Sequence, residues 1–205
     1  VWTDVGSNVQ GVISFPFQRI AGTTMQVGIT APFSVARFKD SFMIVTRDSR
    51  GDATIELIEG YNWTRISTHA VEQSLVGYVV TDAVAYSYQI EGHEMYVVTF
   101  PSVGPNGLTW VYDLSTGLWH ERGEWDSVRG EYTHWRPQCH AVAFGYHLVG
   151  DSDSGVVWQM SSEVATGADG SGIRRLRRTP TPASSATTAS RSRSASTVSP
   201  RRWCC

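Results

Sequence analysis

AVAYSYQIEGHEMYVVTFPSVGPNGLTWVYDLSTGLWHE (Ala83–Glu121) holds four short runs rich in Val, Tyr, Phe and Trp, separated by Gly, Pro, Asn and Asp. Alternation of apolar and polar residues with period two is the signature of half-buried strands. The interruptions carry turn chemistry: Gly104–Gly107 and Asp113–Gly117 each pair an Asn or Asp, which bonds its own backbone, with a Gly free to take positive φ. The stretch therefore predicts four consecutive antiparallel strands.

The same order of parts recurs on both sides. Upstream come Ser34–Phe38, a turn at Lys39-Asp40, runs at Ser41–Thr46 and Thr54–Glu59, and a closing run at Tyr61–Arg65. Downstream come His140–Phe144, a turn at Gly145-Tyr146, then His147–Gly150 and Gly155–Met160, after which the chain passes into Ser and Gly without a fourth run. A unit of about fifty residues with four strands is a β-propeller blade. The predicted architecture is all-β, a partial β-propeller of two complete four-stranded blades plus most of a third over residues 34–172. Residues 1–33 read as the end of a preceding blade, with its last strand at Val12–Arg19, and a linker. Propellers close with roughly four to eight blades, so three read as part of a larger ring and the chain as beginning in mid-domain. Only Thr68–Leu75 reads as helix, with Ser67 or Thr68 as N-cap and Gly77 beyond its end.

Charge divides the chain. Of 205 residues, 17 are basic and 19 acidic, yet eight of the arginines, from Arg174 to Arg202, follow the last acidic residue, Asp169. Residues 1–172 thus carry nine basic and nineteen acidic side chains, a net of −10, and residues 173–205 carry +8. The body repels polyphosphate, and only the tail has the charge to hold it. That tail is Arg, Ser, Thr, Pro and Ala, a low-complexity composition that builds no core and reads as disordered. No apolar run reaches membrane-spanning length. Three cysteines, two of them Cys204-Cys205, supply neither a disulfide framework nor a four-thiolate metal site. The default compartment on these grounds is a reducing cytoplasm.

An ordered set of motifs resembles the packaged-DNA stabilisation, or tail hub, proteins of short-tailed bacteriophages and prophages: Phe15–Arg19, Gly60–Glu72, Thr99–Pro101 leading to Trp110–Arg122, and His147–Asp151. The resemblance covers about residues 10–180. It implies a structural virion protein of the tail, assembled in the bacterial host cytoplasm, that forms a homo-oligomeric ring beneath the portal. Such a ring closes the DNA exit channel without specific DNA binding and contacts the portal protein and other tail proteins; no catalysis or cofactor is implied. Family members are longer and continue from a segment like Arg174–Pro180 into another strand-rich stretch, whereas here Thr181–Cys205 is low-complexity. The abrupt change reads as a frameshift artefact. A solvated extension and a nucleic-acid-binding arm with Trp203 as stacking ring are the other readings of the tail.

The chemistry-bearing residues favour binding over catalysis. Cys139-His140 is the only Cys beside a His, but strand neighbours point to opposite faces, and Cys139 is expected to be a buried strand residue. The six histidines lack metal-ligand spacing. Asp151–Trp158 approximates a sialidase-type Asp box, a structural turn remote from catalysis in that class. Arg50-Gly51-Asp52 spells an adhesion tripeptide at a turn, and Asn62–Thr64 a glycosylation sequon. Neither alters the reading. No catalytic, cofactor or metal residue is assigned. Glu121–Pro137, an expected inter-blade connection, interleaves aromatic and charged residues, and Trp125, Tyr132, Trp135, Arg129 and Arg136 are its candidate partner interface. Alternatives from other classes are a glycan-binding or glycan-cleaving propeller of a tail receptor apparatus and a generic protein-interaction propeller.

Overall fold

Strands form where the alternating runs lie and end at their Gly and Asp turns. In chain order they are β1 (Trp2–Asp4), β2 (Phe17–Arg19), β3 (Ala36–Phe38), β4 (Ser41–Arg47), β5 (Ala53–Glu59), β6 (Asn62–Arg65), then helix α1 (His69–Leu75). There follow β7 (Val84–Ile90), β8 (His93–Phe100), β9 (Leu108–Asp113), β10 (Leu118–Asp126), β11 (Glu131–His134), β12 (Pro137–Ala143), β13 (Tyr146–Asp151) and β14 (Val157–Met160). The computed structural model describes residues 2–4, 17–19, 21–22, 24–25, 27–38, 40–164, 166, 170 and 172–173. The chain divides into two units, Val1–Trp158 and Gln159–Cys205. Of the second, the described residues include a bridge between Thr166 and Gly172. The arginine-rich segment 174–205 lies outside the described residues, as do residues 12–16 of the expected strand Val12–Arg19. Phe17–Arg19 of that strand pairs antiparallel with Trp2–Asp4.

Three antiparallel sheets of orders β3-β4-β5-β6, β7-β8-β9-β10-β11 and β12-β13-β14 follow one another. Strand β7 lies against both β3 and β12. The first strands of the sheets therefore converge, as inner strands do around a propeller axis, and the fold is a partial β-propeller. Blades 1 and 2 share one core. Met43 opposite Leu57 and Val45 opposite Ile55 form its blade 1 wall; Tyr96 opposite Tyr112, Val98 opposite Trp110 and Phe100 opposite Leu108 form its blade 2 wall. Helix α1 closes the cluster with Val71 and Leu75. Its N-cap is Thr68, whose hydroxyl accepts from the Val71 amide. Two indoles tie the layers together: Trp119 donates to the Ile66 carbonyl at 2.8 Å and Trp110 to the Ser74 hydroxyl at 3.0 Å.

The first strand of blade 1 is shorter than Ser34–Phe38. Pro32 starts a 3-10 turn over Pro32–Ser34, closed by the Ser34 amide on the Ala31 carbonyl at 3.0 Å. Continuing the register of Ala36 on Met43 would set Ser34 against Val45. There the Ser34 hydroxyl takes the place of the missing ladder bond, accepting from the Val45 amide at 2.9 Å and donating to the Ala31 carbonyl at 2.7 Å. Ser34→Ala leaves a buried amide without its acceptor, which costs about 2 kcal/mol. The expected result in urea is a lower unfolding midpoint at unchanged slope.

Blade 2 departs from the four-strand expectation in the other direction. The closing run at Gly117–Glu121 continues to Asp126 and doubles back as β11, so the expected inter-blade connection Glu121–Pro137 is mostly a hairpin. Gly123 permits the extension, because a Cβ there would stand 2.7 Å from the Thr133 carbonyl oxygen of the returning strand. Blade 3 has three strands among the described residues, in line with the expectation of an incomplete blade.

Candidate interaction surface

The β10–β11 hairpin carries the five candidate interface residues or leads directly to them, and it separates them into two groups. Trp125 and Tyr132 are cross-strand partners with ring centroids 4.9 Å apart at 66°, the edge-to-face arrangement that aromatic quadrupoles prefer. They remain 41% and 46% exposed. The connecting turn is fixed by Asp126, whose carboxylate accepts from the Val128 and Arg129 amides at 2.9 and 3.1 Å while its carbonyl accepts from Gly130 at 2.8 Å. Gly130 takes φ +70°. Arg129 reaches back to the Asp126 carboxylate at 3.6 Å, and Val128 at the tip is 94% exposed.

Trp135 and Arg136 turn inward instead. The Trp135 indole donates to the Tyr86 hydroxyl at 3.0 Å, and the Arg122 guanidinium lies 5.5 Å from its ring centroid. Burial pushes the Tyr86 phenol up to about 12, against the opposing pull of Arg122 and the Trp135 bond, so it serves as a neutral bonding group. Arg136 bridges the Asp151 carboxylate at 2.8 Å and Glu124 at 3.2 Å. Arg136 thus joins blade 2 to blade 3, while Trp135 anchors the chain after β11 on blade 2.

Sequence reading missed the brace that holds the hairpin. The Asn106 carbonyl accepts from the His134 amide at 3.0 Å, its side-chain amide donates to the Tyr132 carbonyl at 3.2 Å, and the Trp135 amide donates to the Thr109 hydroxyl at 3.0 Å. Gly107 lets the loop close, since a Cβ there would lie 2.7 Å from His134 Nδ1. The signal in the sequence was Asn106-Gly107, legible as a turn but not as a clamp. The edge of β11 away from β10 is bonded to Asn106 at Tyr132 and His134, so those ladder groups are not open. An aromatic pair held this way loses little conformational entropy on binding.

Most of the remaining motif side chains are engaged within the fold. Cys139 is exposed rather than buried: it pairs with Gly150, which has no side chain to cover the thiol and where a Cβ would lie 2.6 Å from its Sγ. His140 points elsewhere, its Nε2 2.9 Å from His147 Nδ1 and its ring stacked on Tyr86. The Asp151 carboxylate is filled by internal donors, and Asp113 likewise accepts from His93, Thr116 and the Ser115 amide at 2.8 to 2.9 Å. Arg50 folds onto Asp48 and lies 3.7 Å from Asp52, so the tripeptide does not splay its charges outward. Among the described residues, no three His, Cys, Asp or Glu side chains are grouped to hold a metal, and no helix is long and apolar enough to cross a membrane.

The family model described as "Phage_stabilise: Bacteriophage P22 Gp10, beta-propeller" matches residues 2–165. Comparison with curated proteins gives no match. Among solved structures, the chain is similar to the crystal structure of TolB from Acinetobacter baumannii at 13% identity and a TM-score of 0.34, over 64% of this chain and 33% of that one. The chain thus spans about a third of the length of that structure. The match over residues 2–165, together with three successive propeller sheets, means that the chain belongs to the phage stabilisation family of P22 Gp10, a family of bacteriophage structural proteins.

Proposed function

We propose that this chain is part of a tail hub or plug that sits beneath the portal, retains packaged DNA and seats the rest of the tail, acting through shape and assembly. Residues 34–172 are its propeller blades, and copies of the protein form a ring in the virion tail after assembly in the host cytoplasm. The observation that carries the reading is the braced hairpin with outward Trp125, Tyr132 and Val128, a preformed contact surface on a phage structural protein. Arg129 completes that surface, while Trp135 and Arg136 act indirectly, the first by anchoring the end of the hairpin on blade 2 and the second by tying it to blade 3. The acidic body supports the same reading, because a surface of net −10 lets a duplex pass without adhering.

The test is binding of the full chain to purified portal rings, read by negative-stain microscopy and by titration. Stoichiometric density on the distal side of the ring is expected. Trp125→Ala combined with Val128→Asp is expected to weaken binding at least tenfold while the thermal midpoint falls by no more than about 4 °C, since only one edge-to-face contact is lost. A wild-type chain that ignores the portal overturns the hub reading. A double variant that binds as wild type removes the hairpin from it.

A further inference from the structure

Blade 3 meets blade 2 through a different kind of contact from the one that joins blades 1 and 2. Among the described residues of blade 3, Pro137 and Val149 are the buried apolar side chains, and neither belongs to the core that blades 1 and 2 share. The seam is made instead by the Arg136 bridge between Glu124 and Asp151 and by a group of rings. His140 of β12 lies 6.4 Å from Tyr86 at 16° and 5.5 Å from Tyr88 at 44°, both on β7. The ring of His147, on β13, follows at 5.2 Å from His140 with a tilt of 27°.

The two imidazoles face each other nitrogen to nitrogen, His140 Nε2 and His147 Nδ1 being 2.9 Å apart. A hydrogen bond across that distance holds one proton, so one ring donates and the other keeps its facing nitrogen bare. One positive charge is compatible with this contact, on the far nitrogen of the donor ring. Two are not, because both facing nitrogens would carry hydrogens and two cations would touch. The groups around the pair do not offset a second charge. Tyr86 and Tyr88 present phenol rings, and Arg122 on β10 adds a cation, donating to the Tyr88 hydroxyl at 3.0 Å. His120 on the same strand is itself pushed down to about 4, by burial and then by Arg122. Asp113 on β9 is taken up by His93 and Asp151 on β13 by Arg136, while Cys139 and Tyr146 flank the pair in sequence. His140 is accordingly held below the ordinary histidine value, by burial first and by His147 second.

We propose that the His140–His147 pair is an acid release for blade 3, docking it on Tyr86 and Tyr88 at neutral pH and freeing it when the second imidazole takes a proton. Protonated histidine clusters open interfaces in this way. The freed rings bind two protons where the docked pair binds one. A proton site that exists only after release, with the ordinary histidine pKa near 6.5, leaves docking at full strength above that pH and weakens it about tenfold at pH 5.5. The Asp151 carboxyl stays ionised throughout this window, since it is drawn down to about 2, so the bridge to Arg136 is not what opens. The proposal does not depend on the hub reading, and its test needs no portal.

The test is hydrogen exchange of the full chain at pH 7.5 and pH 5.5, with protection factors corrected for the pH dependence of chemical exchange. A three-stranded sheet that leaves its seam keeps no apolar core to hold its ladder. Protection of β12 and β13 is therefore expected to fall about tenfold at pH 5.5, while that of β8, in the core shared by blades 1 and 2, stays level. His140→Phe keeps a ring on Tyr86 and Tyr88 without a titrating group, and its loss is expected to stay below twofold. His147→Gln offers His140 either an N–H or a C=O, so it accommodates both charge states and is expected to behave alike. A wild-type loss below threefold, a loss shared by β8, or a tenfold loss that persists in either variant overturns the proposal.

Discussion

Tyr96→Ala is expected to cost about 4 kcal/mol and to lower the thermal midpoint by about 10 °C, whereas Tyr96→Phe costs about 1 kcal/mol. Tyr96 is fully buried on the β8 wall of the core shared by blades 1 and 2, with its ring centroid 6.3 Å from that of Phe38. Its hydroxyl donates to the Ser34 carbonyl at 2.9 Å, across the seam between the two blades. Burial holds the phenol far above its ordinary pKa, so it stays neutral and donates at every pH at which the fold survives. Truncation removes the ring, opens a cavity between two sheets that cannot slide together, and strands the Ser34 carbonyl. The phenylalanine variant retains the packing and loses only the bond. Urea unfolding followed by tryptophan fluorescence measures both, and a cost below about 1.5 kcal/mol for Tyr96→Ala would mean that the two blades do not share one core.

Blade 2 was readable because β9 is buried at every second residue, β8 is a continuous β-branched and aromatic run, and β7 to β10 each pair with a neighbour adjacent in sequence. The Asp113–Gly117 turn names its own hydrogen bonds, and Thr68 before an apolar helical stripe names its cap. The Glu121–Pro137 hairpin was harder to read because its strands bury no core face: Trp125 and Tyr132 pack on each other, and its bonding partner Asn106 comes from a loop earlier in the chain. Composition alone could not separate Trp125 and Tyr132, which face outward, from Trp135 and Arg136, which face inward. That division depends on where β11 ends and β12 begins, which the Trp135 bond to Thr109 and the Arg136 bridge to Asp151 determine. Cys139 was expected inside because free cysteine is commonly buried, a tendency of the residue type that does not say which face of β12 it takes.

Asp151→Ala is expected to cost about 3 kcal/mol, because it breaks a buried ion pair from one side. The side chain is fully enclosed and accepts from the Asp153 amide, the Ser154 hydroxyl, the Trp158 indole and Arg136 at 2.8 to 3.2 Å. Its removal leaves the Arg136 guanidinium with Glu124 and without its ion-pair partner on blade 3, which weakens the tie between the hairpin and that blade. Burial by itself would raise the Asp151 carboxyl, but the four donors outweigh it and draw it down to about 2. A carboxyl depressed on folding stabilises the protein fully above its unfolded pKa, near 4, and ceases to do so as pH falls through its folded pKa, near 2. Glu72 and Asp113 are lowered as well and Glu56 is raised by burial, so the overall acid profile is shared among several groups. The difference between wild type and Asp151→Asn isolates this one, since the others are common to both. That difference in unfolding free energy is expected to be constant above pH 5 and to shrink between pH 4 and pH 2; a difference that stays level throughout this window would show that Asp151 contributes shape rather than charge to the seam between blades 2 and 3.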